Sequence, residues 1–357
     1  MAYISLDVQK LRTNYEFLKT VFSSRDIKFG VVSKLLCGTK MYIEELVAMG
    51  VREIHDSRIS NLKVIKAVNP EVFTVYIKPP AKKSIANVVK YADMSFNTEH
   101  ETIKMLSDEA VKQRKIHQII IMIEMGDLRE GVLGPDVVEF YASVMNLPNI
   151  AISGIGTNLH CLSGVVPSQD KLIQLSLYKQ LIEAKLNVTV PLVSGGTSAA
   201  VSLLLRNADT VNVNHFRIGE ILYFGKDLFS DLPIEGMETD VFKLYAEIIE
   251  ITEKPVIPIG ELAANPSGNI FEHENNDLGN LVLRAIVDVG LLDMRPQYLE
   301  PEDESVKIID ASSDMLVIDI TNCNPNYAVG DVISFNLKYM GALYLLNSYY
   351  VEKVVKN

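Results

Sequence analysis

The chain has 357 residues, 48% of them hydrophobic and 22% charged, which is enough for one large domain or two with a sizeable core. Asp and Glu outnumber Lys and Arg by 45 to 34, a formal charge of −11, which excludes a general polyanion binder with a basic face but leaves room for a local basic pocket. Three cysteines, Cys37, Cys161 and Cys323, are odd in number and have no short metal-binding spacing, so neither a disulfide framework nor a metal centre is expected. The first residues lack a basic segment followed by an apolar one, and no apolar run of about 18 residues occurs. The sequence therefore reads as a cytoplasmic protein that engages neither nucleic acid nor membrane.

Residues 1–6 are expected to add a strand to the second of two domains. From residue 7 a strand-then-helix rhythm takes over. Short β-branched runs occur at 29–33, 51–54, 73–77, 94–96, 119–123, 152–155, 192–194 and 211–213. The segment 98–114 opens with Thr98 and Glu101 in capping-box spacing. In 168–187, Leu172, Leu175, Tyr178 and Ile182 share a helical face and Ser168 can cap the start. Eight β/α alternations predict a (β/α)8 TIM barrel over 7–234. A doubly wound sheet is the competitor, but it usually carries a Gly-rich first turn, and none follows 29–33. Beyond residue 235, runs at 244–251, 281–289, 307–309, 315–320, 332–335 and 349–355 predict a C-terminal all-β domain over 235–357.

Chemistry in such a barrel belongs at the C-terminal ends of the strands. The first strand runs into Ser33-Lys34. A lysine leaving a buried strand is partly desolvated and suited to imine formation with an aldehyde cofactor; one that snorkels to solvent is the commoner case. The seventh strand runs into Ser194-Gly195-Gly196-Thr197-Ser198-Ala199-Ala200 and the eighth leads to His215-Phe216-Arg217-Ile218-Gly219-Glu220. Both turns offer small residues and free backbone N–H groups that suit a phosphate. Facing a first-strand lysine, they point to pyridoxal 5'-phosphate.

Four stretches carry a resemblance: Val31-Val32-Ser33-Lys34, Gly126-Asp127-Leu128-Arg129-Glu130-Gly131, the Ser194 to Ala200 run, and Arg217-Ile218-Gly219-Glu220-Ile221-Leu222-Tyr223-Phe224-Gly225. Together they resemble the alanine-racemase-type (fold type III) pyridoxal phosphate enzymes over nearly the whole chain. Asp127 to Gly131, Gly156-Thr157-Asn158-Leu159 and Ala311-Ser312-Ser313-Asp314 look like the ornithine racemase branch.

The resemblance implies a homodimeric amino-acid racemase with shared active sites. Lys34 would be the Schiff-base lysine and one of two bases; Ser198, the backbone of Gly219 and Glu220, and Tyr339 would hold the phosphate. Arg217 would face the pyridine nitrogen and Arg129 the substrate carboxylate. Because an arginine keeps its proton, the ring stays neutral, which limits transamination and favours return of a proton to Cα. For Arg129 the bland alternative is a surface ion pair with Glu130. Asn158 stands where the family often has a ring-stacking histidine, and Met122 where some members carry a modified lysine that supports the carboxylate-binding arginine; Glu124 is the substitute orienter.

Where the family places a tyrosine as second base, this chain has Ile259. Cys161, Glu261 and His160 are the replacements, with Cys161 first; an inert thiol, a solvated carboxylate and a satisfied histidine are the plainer readings. Ser313 and Asp314 fall in a loop that in the family enters the partner's site, where an acid could pair with the distal ammonium of ornithine; alternatively Asp314 is only a turn residue. The competing functions are racemisation of alanine, lysine or another amino acid, and a non-catalytic pyridoxal phosphate carrier, which would resemble the barrel alone.

Overall fold

Parallel strands need long crossovers, and the helical segments between the short apolar runs supply them. The computed structural model describes residues 2–264, 268, 270–271, 278–323 and 326–356. It divides into two units, 7–241 and 2–6 with 242–356. The first strand, β1 (Tyr3–Asp7), pairs within the second unit. Eight parallel strands then close a barrel in sequential order: β2 (Lys28–Val32), β3 (Glu53–Asp56), β4 (Phe73–Tyr76), β5 (Met94–Asn97), β6 (His117–Met122), β7 (Ile150–Gly156), β8 (Leu192–Thr197) and β9 (His215–Ile218). The ring closes where β2 pairs with β9.

Three sequence expectations are corrected. The last barrel strand is β9, four residues later than the run at 211–213. Val211 instead has φ 38° and donates its N–H to Asp209 Oδ1 at 3.0 Å, in a turn. β9 escaped the apolar pattern because its inward residues, His215 and Arg217, are polar. The helix expected from 98 begins at His100, and its N-cap, Glu99, makes no side-chain capping bond, so the Thr98 box does not form. The helix Gln169–Leu186, by contrast, does use Ser168, which accepts from the Lys171 N–H. The structural division also falls at 241 rather than 234. Asn14 is fully buried, donates to Leu222 O and Glu238 O at 3.0 and 2.8 Å, and accepts from the Glu238 N–H at 2.7 Å, which ties 235–241 to the first barrel helix.

The second unit is an antiparallel sheet built on β10 (Phe242–Pro255), with β11 (Leu281–Val287), β12 (Leu299–Pro301), β13 (Lys307–Ala311), β14 (Leu316–Asp319), β15 (Val332–Leu337) and β16 (Glu352–Lys356). The order is β12-β15-β10-β11-β14-β13, with β1 joining β10 to β16. The near half of β10 pairs with β15 and the far half with β11; the register shifts between Ile248 and Glu250. β1 is fixed by cross-strand stacking of Tyr3 on Tyr245 at 4.9 Å. The α-helix Tyr339–Asn347 also lies in this unit. Among the described residues no helix is long and apolar enough to cross a membrane.

His117 on β6 is buried and 2.8 Å from Ser95 Oγ on β5. Burial pushes its pKa down to about 4, while Asp93 and the Ala92 carbonyl pull the other way. The unfolded chain therefore takes up a proton near pH 6.5 that the folded chain refuses. Stability is held above that pH and falls as pH drops from 6.5 towards 4, by about 3 kcal/mol. Thermal unfolding of His117→Gln is expected to lose less midpoint temperature between pH 7 and pH 4.5 than the parent.

Candidate active site

The period-2 alternation of β9 turns His215 and Arg217 into the barrel and Phe216 and Ile218 outwards, and all four are buried. Arg217 is 3% exposed. Its Nη1 donates to Ser194 Oγ at 2.7 Å, its Nη2 to Thr157 O at 2.7 Å, and its guanidinium lies 5.3 Å from the centre of the Phe96 ring. Burial pushes Arg217 down to about 10, which still leaves it cationic at neutral pH.

The barrel residues expected to hold a cofactor follow the ends of β2, β8 and β9. Ser198, 4% exposed just beyond β8, accepts from the N–H groups of Gly219 and Ile221 at 3.1 and 3.3 Å. One hydroxyl thus knits the turns after β8 and β9 together, and its own proton remains for an acceptor. Gly219 and Glu220 follow directly on β9.

Lys34 follows β2 on the rim. Ser33, fully buried, donates its hydroxyl to Asp56 Oδ2 at 2.8 Å, and Asp56 Oδ1 accepts from the Arg58 N–H and Asn61 Nδ2 at 2.9 and 3.1 Å. The Tyr223 hydroxyl, on the turn after β9, donates to Val32 O at 3.2 Å. This stem is rigid, yet Lys34 itself is exposed. Of the two surroundings the sequence left open this is the commoner, solvent-facing one, although the neighbours Ser33, Leu35 and Leu36 are all buried. Burial raises the Glu220 carboxyl, and the Lys34 ammonium partly offsets this, so the two groups sense one another.

Arg129 sits on the loop after β6. Its guanidinium pairs with Glu130, the plainer of the two sequence readings. Glu124 does not orient that guanidinium. Its carboxylate accepts instead from the backbone N–H groups of Gly126, Leu128 and Arg129 at 2.5, 3.0 and 3.3 Å, which shapes the loop. A Cβ on Gly131, whose φ is +155°, would overlap the Glu124 backbone, so only glycine closes this turn. Met122 is buried in an apolar cluster with Val75, Met94, Phe96 and Ile120. Asn158, 8% exposed, lies between two guanidiniums, and its amide oxygen can serve one at a time. Turned one way it accepts from Arg217 Nη2 at 3.3 Å; turned the other it accepts from Arg129 Nη2 at 2.8 Å and Nη1 at 3.2 Å, the stronger set.

Cys161 is exposed, and its charge would act on both Arg129 and Arg217. His160 packs edge-on against Phe229 at 4.7 Å. The remaining candidates lie in the other unit. Glu261 is exposed beyond the end of β10, and Ile259, at the family's tyrosine position, is 93% exposed. Ser313 and Asp314 form the exposed tip between β13 and β14, where Ser313 Oγ donates to Asp314 Oδ2 at 2.7 Å. Tyr339 opens the helix Tyr339–Asn347.

Three features were not singled out from the sequence. Asp127, 1% exposed, accepts from the N–H groups of Cys161, Leu162 and Ser163 at 3.1, 3.0 and 3.2 Å, stapling the loop after β7 to the Arg129 loop. Burial works to raise its carboxyl, but these donors with the Val165 N–H hold it below the usual range. The second is Asp56 under Ser33. The third is a group formed by Glu53, His55 and His215 inside the barrel. Asp127 stood inside a quoted motif and could have been found there; the other two join strands distant in sequence and had no local signal.

The donor set matches a phosphorylated aldehyde: an accessible primary amine, a hydroxyl with adjoining backbone N–H groups, and a fixed cation that keeps its proton. Residues 6–227 match the family model "Alanine racemase, N-terminal domain". The ornithine racemase of Acetoanaerobium sticklandii is 36% identical over 351 residues, 98% of each chain. The lysine racemase of Thermotoga maritima is 29% identical over 349 residues, 98% of this chain and 97% of that one. The alanine racemase of Bartonella henselae, solved with covalently bound pyridoxal phosphate, has the same fold, with a TM-score of 0.76 at 15% identity over 99% of both chains. With a family match over most of its length and a full-length relative at this identity, the chain belongs to the alanine racemase family.

Proposed function

We propose that the protein is a cytoplasmic, homodimeric racemase that uses pyridoxal phosphate to interconvert L- and D-ornithine. The observation that carries this reading is the convergence of Lys34, the Ser198–Gly219 junction and buried Arg217 at the C-terminal mouth of one closed barrel. The relatives support it: those covering the full chain act on ornithine and lysine, both with a distal ammonium.

Pyridoxal phosphate, when bound, supplies an aldehyde and an electron-withdrawing ring that together acidify the Cα–H bond of an amino acid. Lys34 Nζ would hold the cofactor's aldehyde and would carry a proton to or from one face of Cα. Ser198 through its hydroxyl proton and Glu220 through its backbone N–H would bind the phosphate, with Gly219 holding Ser198 in place and Tyr339 as the further candidate. Arg217 has committed Nη1 to Ser194 and Nη2 to Thr157, and its remaining donors would face the ring nitrogen and keep their protons. Arg129 exchanges Glu130 for the substrate carboxylate, with Asn158 bracing its far edge.

The opposite face needs a second proton carrier. Cys161 is the first candidate, because Asp127 pins its loop beside the Arg129 loop; Glu261 is the second. Ser313 and Asp314 present a carboxylate on an exposed hairpin, suited to a distal ammonium.

Purified protein supplied with pyridoxal phosphate is expected to gain the visible absorbance of lysine-bound cofactor, and Lys34→Ala to lack it; identical spectra would sink the cofactor assignment. In deuterium oxide, L-ornithine is expected to exchange its α-proton and yield the D isomer faster than lysine or alanine do. Carbon dioxide release would establish a decarboxylase instead. Cys161→Ala should cut racemisation by about 100-fold or more with the absorbance intact, the scale of losing a general acid–base; near-normal turnover would move the role to Glu261, testable by Glu261→Gln.

A further inference from the structure

Below Arg217 the barrel interior contains a buried polar cluster that the proposed chemistry does not use. Glu53 Oε1 on β3 lies 2.6 Å from His55 Nε2 and 3.0 Å from His215 Nε2. His215 Nδ1 lies 2.9 Å from Ser194 Oγ, which accepts from Arg217 Nη1 at 2.7 Å. The two imidazoles stack at 5.6 Å, and His55 meets Phe96 edge-on at 6.1 Å. A Cβ on Gly30 would overlap His55 Nε2, so β2 leaves room for the ring. His55, His215 and Ser194 are at most 1% exposed.

The Glu53 carboxylate gives these contacts a direction. Burial works against the Glu53 carboxylate, but the bonds from His215 and His55 hold it well below the usual carboxylate range, so it is an anion and accepts only. Both imidazoles must then carry hydrogen on Nε2. Burial disfavours a cationic His55, which leaves its Nδ1 bare, in keeping with a buried atom that has no hydrogen-bond partner. With its hydrogen on Nε2 facing Glu53, His215 offers a bare Nδ1, which takes the Ser194 hydroxyl proton and turns the serine lone pairs to Arg217.

Two histidines and a carboxylate are also a zinc donor set. A metal on both Nε2 atoms would move each proton to Nδ1, and His55 would then bury an N–H with nothing to receive it, whereas metal-bound histidines donate that proton to a partner. The geometry therefore favours hydrogen bonding over ligation.

We propose that Glu53 and His215 are positioning residues for Arg217, acting through Ser194 as a relay whose direction the Glu53 anion sets. This rests on the reading that Arg217 holds the cofactor ring nitrogen. The relay fixes the guanidinium plane from below while Thr157 fixes it from the side, so the ring meets an arginine with no freedom to rotate away.

Two measurements test it. Nitrogen-15 NMR of histidine-labelled protein without cofactor should show His215 and His55 protonated at Nε2 and bare at Nδ1. Protons on Nδ1, or stoichiometric zinc by elemental analysis, would overturn the relay whatever the enzyme does. In the loaded enzyme, Ser194→Ala and Glu53→Gln should each lower kcat roughly tenfold, the scale of one bond to a charged group, with KM for ornithine within about twofold. The double variant should be no slower than Ser194→Ala alone, because the chain is already cut. Multiplying losses, or a rise confined to KM, would overturn the proposal. A parent protein that never acquires the visible absorbance defeats the cofactor reading instead, and the NMR result still decides the relay.

Discussion

The barrel is organised around one buried positive charge. An arginine at the centre of eight strands loses its hydration, a cost of several kcal/mol unless oriented acceptors replace the water. Arg217 receives the Ser194 hydroxyl, the Thr157 carbonyl and the face of Phe96. Each of these sits on a different strand or strand end, so solvating the charge also fixes β5, the end of β7, β8 and β9 relative to one another. What could have been an apolar core becomes a polar column, with Glu53 at one end and Asn158 at the other.

Anions do comparable work on the loops. Asp127 and Glu124 each spend a carboxylate on several backbone N–H groups rather than on a cation. A carboxylate chelating a loop backbone confines it far better than an exposed ion pair, which is worth little. The Arg129 loop is thus held by its backbone, and the guanidinium is left to Glu130 and the Asn158 amide. The acidic balance of the chain is partly explained here: some of its excess carboxylates are internal staples.

Much of the site was legible because its residues sit in short contiguous motifs. Lys34 follows β2, Ser198 follows β8 and Gly219 follows β9, so reading strand ends found them. The same reading left Lys34 open between a desolvated and a solvent-facing side chain, since local sequence does not say how far a strand end rises above the rim, and the fold gives the second. It also misplaced β9, whose inward side chains are a histidine and an arginine instead of apolar residues. The domain division fell late for a related reason: a buried asparagine at position 14 clamps residue 238, and a contact across 224 positions leaves no local trace.

The sequence by itself determined the β/α rhythm, the antiparallel sheet that follows it and the identity of the groups suited to bind a phosphorylated aldehyde, because periodicity and strand-end chemistry are local properties. Only the tertiary structure decided which polar groups share the barrel interior. Glu53, His55, Ser194 and His215 come from three strands separated by up to 162 positions, and they meet because closing the barrel brings β9 back beside β2 and β3. Asp56 beneath Ser33 and Asp127 beneath Cys161 are decided in the same way: a buried carboxylate must find donors, and the fold alone determines where they are.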